Sequence, residues 1–192
     1  VTIAEPPPIL NAPSIALPLC AGVCDGTIAL NTSGGNSPYT YTWAPVSSNS
    51  PSLTNLCAGD YTVIVGYNTT CVDTSVINIP VQTGISIVPT VTNNLCFGNC
   101  NGVVDLSLSG GTAPYNISWS NSQTSSLINA LCNGTYSVSI VDANGCINTE
   151  TASITSAAQI TASTSVFSPS CGLCNGTASV AVSGGISPLT YN

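Results

Sequence analysis

A cysteine-rich turn occurs three times along the 192 residues at nearly constant spacing. Cys20-Ala-Gly-Val-Cys24 is followed by Asp-Gly, and related turns begin at Cys96 and Cys171, at offsets of 76 and then 75 residues. Self-similarity at a fixed period is the signature of tandem modules that repeat one small structure. The chain is therefore predicted to be a row of modules of about 75 residues each.

Other landmarks keep the same spacing. The matched positions are Gly34-Gly35 with Gly110-Gly111 and Gly184-Gly185, Trp43 with Trp119, Cys57 with Cys132, Tyr61 with Tyr136, and Cys71 with Cys146. They predict that residues 1–8 end a preceding copy and its linker, that 9–83 and 84–158 are two complete copies, and that 159–192 are the truncated first half of a third. We expect the chain to be an internal part of a longer array. The alternative is two copies with degenerate flanks.

Within each copy, apolar and polar residues alternate, as in residues 61–65 and 136–140. A period of two is typical of strands that are buried on one face. Clusters of Gly, Pro, Asn and Ser separate these segments, and no stretch has the 3.6-residue pattern and the caps of a helix. The fold class is therefore predicted to be all-β, with tandem immunoglobulin-like antiparallel β-sandwiches.

Four aromatic residues are predicted to be structural. Trp43 and Trp119 match the position at which immunoglobulin-like sandwiches bury a tryptophan in the core. Tyr61 and Tyr136 follow a Gly-x step and resemble a tyrosine corner, in which the phenol bonds back to the backbone. The alternative for the tryptophans is stacking against a bound sugar, but their regular repeat position favours the core.

Ten cysteines are distributed as four in each complete copy and two at the start of the third. Thiolates at such spacing also suit zinc. The first pair, however, is spaced differently in one copy, and the composition is typical of secreted proteins, in which thiols oxidise. Disulfides that staple each module are therefore favoured, and four cysteines allow three pairings.

The order of the cysteines favours one pairing. The two cysteines of the first turn bracket the entry to a strand and are expected to reach different partners, while the closing cysteine follows a turn late in the copy. We therefore predict bonds between Cys20 and Cys71, Cys24 and Cys57, Cys96 and Cys146, and Cys100 and Cys132, with Cys171 and Cys174 unpaired in this chain.

The charge composition excludes several functions. The chain has no Lys, Arg or His and seven acidic residues, which give a net charge of -7. Nucleic acids and anionic membranes recruit proteins through Lys and Arg, so no nucleic-acid partner is predicted. No apolar run approaches the roughly 20 residues of a membrane span, so no membrane insertion is predicted. Without His or Lys, most catalytic constellations are excluded, and no enzyme activity, cofactor or metal site is predicted.

These motifs resemble the SprB repeat family of bacterial cell-surface proteins. The resemblance covers both complete copies and the flanking halves, and it rests on the cysteine turn, Gly-Gly, Pro-Tyr-x-Tyr-x-Trp, Gly-x-Tyr and the closing Asp-x-Asn-Gly-Cys of residues 142–146. It implies that Cys20 and Cys71 lie at the family's common pair and that Cys24 and Cys57 form an extra pair found in some copies. The first copy departs at its close, 67–71, which argues against a metal role for Asp142.

The resemblance also implies a large secreted protein on the surface of a gliding-type bacterium, associated with adhesion or motility and without catalytic residues. Three functions stay open. The chain is a stretch of an extracellular fibre or stalk that associates with neighbouring repeats, or an adhesin whose loops 46–55 and 121–129 bind glycans or other cells, or a set of spacer domains in a larger secreted enzyme. An extracellular location is expected in each case.

Overall fold

The computed structural model describes residues 6–67, 71–172 and 174–190. Within these ranges the chain forms fourteen β-strands and no helix, which confirms the all-β prediction. The strands are β1 (Leu10–Ala16), β2 (Gly26–Ser33), β3 (Thr40–Ala44), β4 (Ser52–Leu56), β5 (Gly59–Gly66), β6 (Val72–Ile79), β7 (Ser86–Thr92), β8 (Gly102–Ser109), β9 (Asn116–Trp119), β10 (Leu127–Leu131), β11 (Gly134–Val141), β12 (Ile147–Ile154), β13 (Thr161–Phe167) and β14 (Thr177–Ser183).

The first six strands form two antiparallel sheets of three strands each. One sheet has the order β1-β2-β4 and the other has the order β3-β5-β6. Alternation along each strand sends every second side chain inward, so the two sheets share one apolar core between them. The predicted sandwich is thus confirmed, and its core consists of Ile28, Trp43, Leu53, Leu56, Tyr61, Val63, Val65, Ile77 and Ile79.

The next six strands repeat this arrangement, with sheets in the orders β10-β8-β7 and β12-β11-β9. Their buried residues include Val104, Trp119, Ile128, Leu131 and Ile140. The last two strands, β13 and β14, pair with each other as a two-stranded sheet. All side chains of β13 are exposed.

A bulge recurs at the end of β4 and of β10, and it determines which leucine enters the core. Asn55 and Ala130 have left-handed backbone angles, with φ of 57° and 56°. The pairing register shifts at the same places, opposite β2 and β8. An extra residue in one strand turns the following side chain to the other face. As a result, Leu56 and Leu131 are each only 2% exposed.

The chain divides into two compact units that do not coincide with the sequence copies. Unit 1 comprises Val1–Ser86, Gly110–Tyr115 and Val141–Ile147, and unit 2 comprises Ile87–Ser109, Asn116–Ile140 and Asn148–Asn192. Two turns of the second copy, 110–115 and 141–147, therefore belong to unit 1. Parts of these turns lie against the first copy's cysteine turn and linker.

Candidate functional site

Six cysteines form three disulfides among the described residues. Two of these bonds, Cys24–Cys57 and Cys100–Cys132, are the short-range pairs expected from the sequence, each inside one copy. The third joins Cys20 of the first copy to Cys146 of the second, with Cα atoms 5.5 Å apart. The structure therefore contradicts the predicted pairs Cys20–Cys71 and Cys96–Cys146.

The length of one strand explains this correction. Cys71 immediately precedes β6, and the first residue of β6 pairs with Gly66, whereas its last residue, Ile79, pairs with Gly59 beside Cys57. Cys20 and Cys24 lie at this Cys57 end of the sandwich. The eight residues of β6 span about 25 Å, whereas a disulfide needs Cα atoms within about 7 Å. The first and closing cysteines of one copy are thus at opposite ends of its sandwich.

The Cys20–Cys146 bond lies in a small site within unit 1 that we call the first joint. It consists of residues 19–21 of the first cysteine turn, 82–85 of the linker, 110–112 of the Gly-Gly turn and 142–146 of the closing turn. Only a cavity of about 40 Å³ is left among these segments. Ile85 is 7% exposed there, so the closing turn, the linker and the Gly-Gly turn are packed closely.

Asp142 organises the closing turn. Its Oδ2 accepts a hydrogen bond from the backbone N–H of Thr112 at 2.9 Å, and its Oδ1 accepts bonds from the N–H groups of Asn144 and Cys146, also at 2.9 Å. The carboxylate is thus tied both to its own turn and to the Gly-Gly turn. Hydrogen bonds to the charged form of a carboxyl favour that form.

The same bonds set the ionisation of Asp142. The N–H of Thr112 lowers the pKa of this carboxyl most, burial opposes it, and the N–H groups of Cys146, Asn144 and Gly145 lower it further, so that the pKa lies below its ordinary value of 3.8. The site therefore keeps a buried anion at neutral pH although the chain contains no cation to pair with it.

The Gly-Gly turn clamps the linker in the first joint. Gly111 donates its backbone N–H to the carbonyl of Thr83 at 3.0 Å. Gly110 has a φ of +70°, and a Cβ at this position would collide with the carbonyl oxygen of Gly84. Only glycine permits both this backbone angle and this close approach. The clamp recurs elsewhere, since Gly35 donates to Pro7 at 2.8 Å and Gly185 donates to Ala158 at 2.9 Å.

Asn144 adds side-chain contacts across the first joint. Its Nδ2 donates to Thr112 Oγ1 at 3.0 Å and lies 3.4 Å from the carbonyl oxygen of Leu19. The closing turn is therefore held to the first cysteine turn by one covalent bond and a weak polar contact. It is held to the Gly-Gly turn by the bonds of Asp142 and Asn144.

The predicted structural aromatics lie inside their sandwiches. Trp43 and Trp119 are each 3% exposed. Their Nε1 atoms donate to the carbonyls of Ser50 at 2.9 Å and Ser125 at 3.0 Å. These bonds tie loops 46–55 and 121–129, the candidate ligand-binding loops, to the core.

The two tyrosines form the expected corners. Tyr61 donates its hydroxyl to the carbonyl of Cys57 at 3.0 Å, and Tyr136 donates to Cys132 at 3.1 Å. In each copy the corner therefore fixes the backbone of the cysteine that closes the short-range disulfide.

The remaining cysteines differ in their surroundings. Among the residues that the structure describes, Cys96, Cys171 and Cys174 are exposed thiols outside any disulfide. Cys71 is exposed and lies near Pro6–Pro8 and Tyr67, at the end of the sandwich opposite Cys20.

Sequence reasoning missed Asp142 and Thr112 as joint residues. The signal for Asp142 was its place in the closing Asp-x-Asn-Gly-Cys segment, because Asp and Asn accept backbone N–H bonds two residues on in tight turns. Thr112 contributes its backbone N–H to Asp142 and its hydroxyl to Asn144, but no local motif of its own linked it to the closing turn 30 residues further on.

The fold and the site together define a class of protein in which β-sandwich modules follow one another in series. Disulfides stabilise each module from within, and the Cys20–Cys146 disulfide joins one module to the next. Residues 18–48 and 88–124 match the family model of the SprB repeat. The resemblance to the SprB repeat family is thereby confirmed for these two regions. No curated protein matches the chain.

The SprB repeat is a structural repeat of cell-surface proteins, associated with adhesin-type surface regions, and is not a catalytic family. No helix of membrane-spanning length and apolarity occurs in the described ranges.

Proposed function

We propose that this chain is a structural repeat segment of a long extracellular bacterial fibre or adhesin stalk, in which each copy of about 75 residues serves as one mechanical module. The observation that carries the proposal is the bond between Cys20 and Cys146. A disulfide within one module stabilises that module alone, whereas a bond between two copies makes a serial chain resist extension at the linker.

The surface composition supports the same role. Charged residues make up 4% of the chain, and Lys and Arg are absent, so proteases that cleave after basic residues find no site. A stalk outside the cell benefits from this resistance. Oxidising conditions, which maintain disulfides, also prevail outside the cytoplasm.

Neutral Ser, Thr and Asn surfaces favour contact with neighbouring repeats or with parallel fibres. Because few charges take part, such contacts should depend little on salt. Strong salt dependence of assembly would argue against this mode of association.

Electron microscopy of intact source cells, labelled with an antibody raised against the chain, tests the proposal. We expect label along extended fibres on unpermeabilised cells. Label that appears only after permeabilisation, or only on compact particles, would contradict a surface stalk. A glycan array probed with purified repeats addresses the adhesin alternative, in which loops 46–55 and 121–129 bind sugars.

A further inference from the structure

The first joint has a counterpart one copy further along the chain. Residues 95–97 correspond to 19–21, residues 157–160 correspond to the linker 82–85, and Gly185 and Ile186 correspond to Gly111 and Thr112. All of these counterparts lie in unit 2 and line one cavity. We call this cavity the second joint groove. Among the residues that the structure describes, none from a turn like 142–146 lines it.

In the second joint groove, the contacts between the Gly-Gly turn and the linker are the same as in the first joint. Gly185 donates its N–H to Ala158 at 2.9 Å, as Gly111 does to Thr83 at 3.0 Å. A Cβ on Gly184 would collide with the carbonyl oxygen of Gln159, as one on Gly110 would with Gly84. The clamp that seats the closing turn in the first joint is therefore present here without that turn.

The two sites differ in how far they are filled. The second joint groove has a volume of about 600 Å³, against about 40 Å³ in the first joint. Ile160 is 58% exposed, whereas its counterpart Ile85 is 7% exposed. Phe97 and Ile186 are also exposed, at 58% and 59%. Apolar side chains gathered in one concave site are expected to be covered by a partner.

Cys96 occupies the position of Cys20. It is an exposed thiol outside any disulfide in the described part of the chain, whereas Cys20 is bonded to the cysteine of the closing turn. Cys96 also lines the groove, so the apolar wall and the thiol together match the one segment that fills the first joint.

We propose that the second joint groove binds the Asp-x-Asn-Gly-Cys closing turn of the next repeat in a serial array and that Cys96 forms a disulfide with the cysteine of that turn. The inference deepens the proposed stalk function, on which it rests. In the groove, the backbone N–H of Ile186 takes the place of that of Thr112 as donor to the aspartate of the incoming turn.

The bond forms by thiol–disulfide exchange with a small-molecule disulfide such as oxidised glutathione. The Cys96 thiol and the incoming thiol together lose two protons and two electrons and form one S–S bond. The oxidant accepts them, its S–S bond breaks, and two glutathione thiols are released.

A peptide with the sequence of residues 140–148 provides the probe. The 192-residue protein is incubated with this peptide in a glutathione redox buffer, and the cysteine that captures the peptide is identified by mass spectrometry. We expect Cys96 to capture it at least 10-fold faster than Cys171, an exposed thiol in the same protein. A peptide whose aspartate is replaced by Ala should lose most of this preference.

Two protein variants locate the interaction. Ile160→Ser, in the groove wall, should slow capture at Cys96 at least 5-fold, whereas Val166→Ser, at an apolar residue of β13 that is 75% exposed and outside the groove, should not change it. Equal capture at Cys96 and Cys171, or equal rates for the two peptides, would overturn the proposal. Dimers linked through Cys96 in preference to peptide adducts would also overturn it, because the occupant would then be a second copy of this chain. None of these three results would contradict the surface location, which the antibody labelling tests separately.

Discussion

Cys20 and Cys146 are separated by 126 residues in the sequence, and a disulfide holds their Cα atoms 5.5 Å apart. The bond encloses both short-range disulfides, Cys24–Cys57 and Cys100–Cys132. A force applied to the two ends of the chain is therefore transmitted through this disulfide and does not stretch the residues between Cys20 and Cys146. The covalent path carries the load even when the sandwiches between these cysteines unfold.

Single-molecule pulling measures how much of the chain the Cys20–Cys146 bond protects from extension. The double variant Cys20→Ser/Cys146→Ser should extend about 200 Å further than the wild type at full unfolding. The opened loop of 126 residues still contains inner loops of 33 and 32 residues, and an extended residue adds about 3.4 Å. The wild type treated with reductant should extend further still. Equal extension of the oxidised wild type and the double variant would show that the bond does not form.

Replacement of Asp142 by Asn tests the buried carboxylate. Because folding lowers the pKa of Asp142, the charge stabilises the folded state fully above the ordinary carboxyl pKa of 3.8, and this stabilisation is lost as the pH falls through the lowered pKa. Wild type should therefore be more stable than Asp142→Asn near neutral pH, and the gap should close below about pH 4.

Urea denaturation at a series of pH values measures this gap. The exposed Asp105 provides the control, and Asp105→Asn should not reproduce the pH-dependent gap. A stability difference between wild type and Asp142→Asn that stays constant from neutral pH to pH 2 would count against the carboxylate.

A comparison of two glycines distinguishes the cost of backbone strain from the cost of a steric clash in the first joint. Gly98 and Gly110 have φ of +75° and +70°, but only a Cβ on Gly110 would meet the backbone of Gly84. Gly98→Ala should lower the free energy of unfolding by about 1 kcal/mol, and Gly110→Ala should lower it by about 3 kcal/mol. Urea denaturation of both variants checks this, and equal losses would mean that the Gly-Gly clamp is not formed.

The buried position of the tryptophans is tested by stability and by fluorescence. Trp43→Ala should cost about 3–5 kcal/mol, while Phe167→Ala, at a side chain 65% exposed, should change stability by less than about 0.5 kcal/mol. The two tryptophans should resist quenching by acrylamide until the chain unfolds. Strong quenching in the folded protein would support sugar-stacking surfaces instead.

The sandwich was predictable because its determinants are local. The alternation of apolar and polar residues identifies the strands, and because the same pattern occurs in both copies, each strand is predicted twice. The bond Cys24–Cys57 was accessible for the same reason, since Gly26 pairs with Leu56 in the register of β2 and β4 and brings the flanking cysteines together.

The partner of Cys20 was not predictable from the sequence. In a tandem array, every closing cysteine has the same local sequence position, so Cys71 and Cys146 are equivalent candidates until the ends of the sandwich are known. The choice depends on β6, which carries the chain from Cys71 to the opposite end of the sandwich. The role of Asp142 in the first joint was missed because its bond to the Gly-Gly turn comes from the backbone N–H of Thr112, 30 residues earlier, and no local motif indicates that contact.

Non-reducing peptide mapping tests the joint most directly. The oxidised protein is alkylated, denatured and cleaved before aspartate and after glutamate, which places Cys20 and Cys24 together in residues 6–24, Cys57 in 25–59, Cys71 in 60–72 and Cys146 in 142–150. The Cys20–Cys146 bond predicts one cluster of the peptides 6–24, 25–59 and 142–150. A cluster that contains 60–72 in place of 142–150 would contradict it.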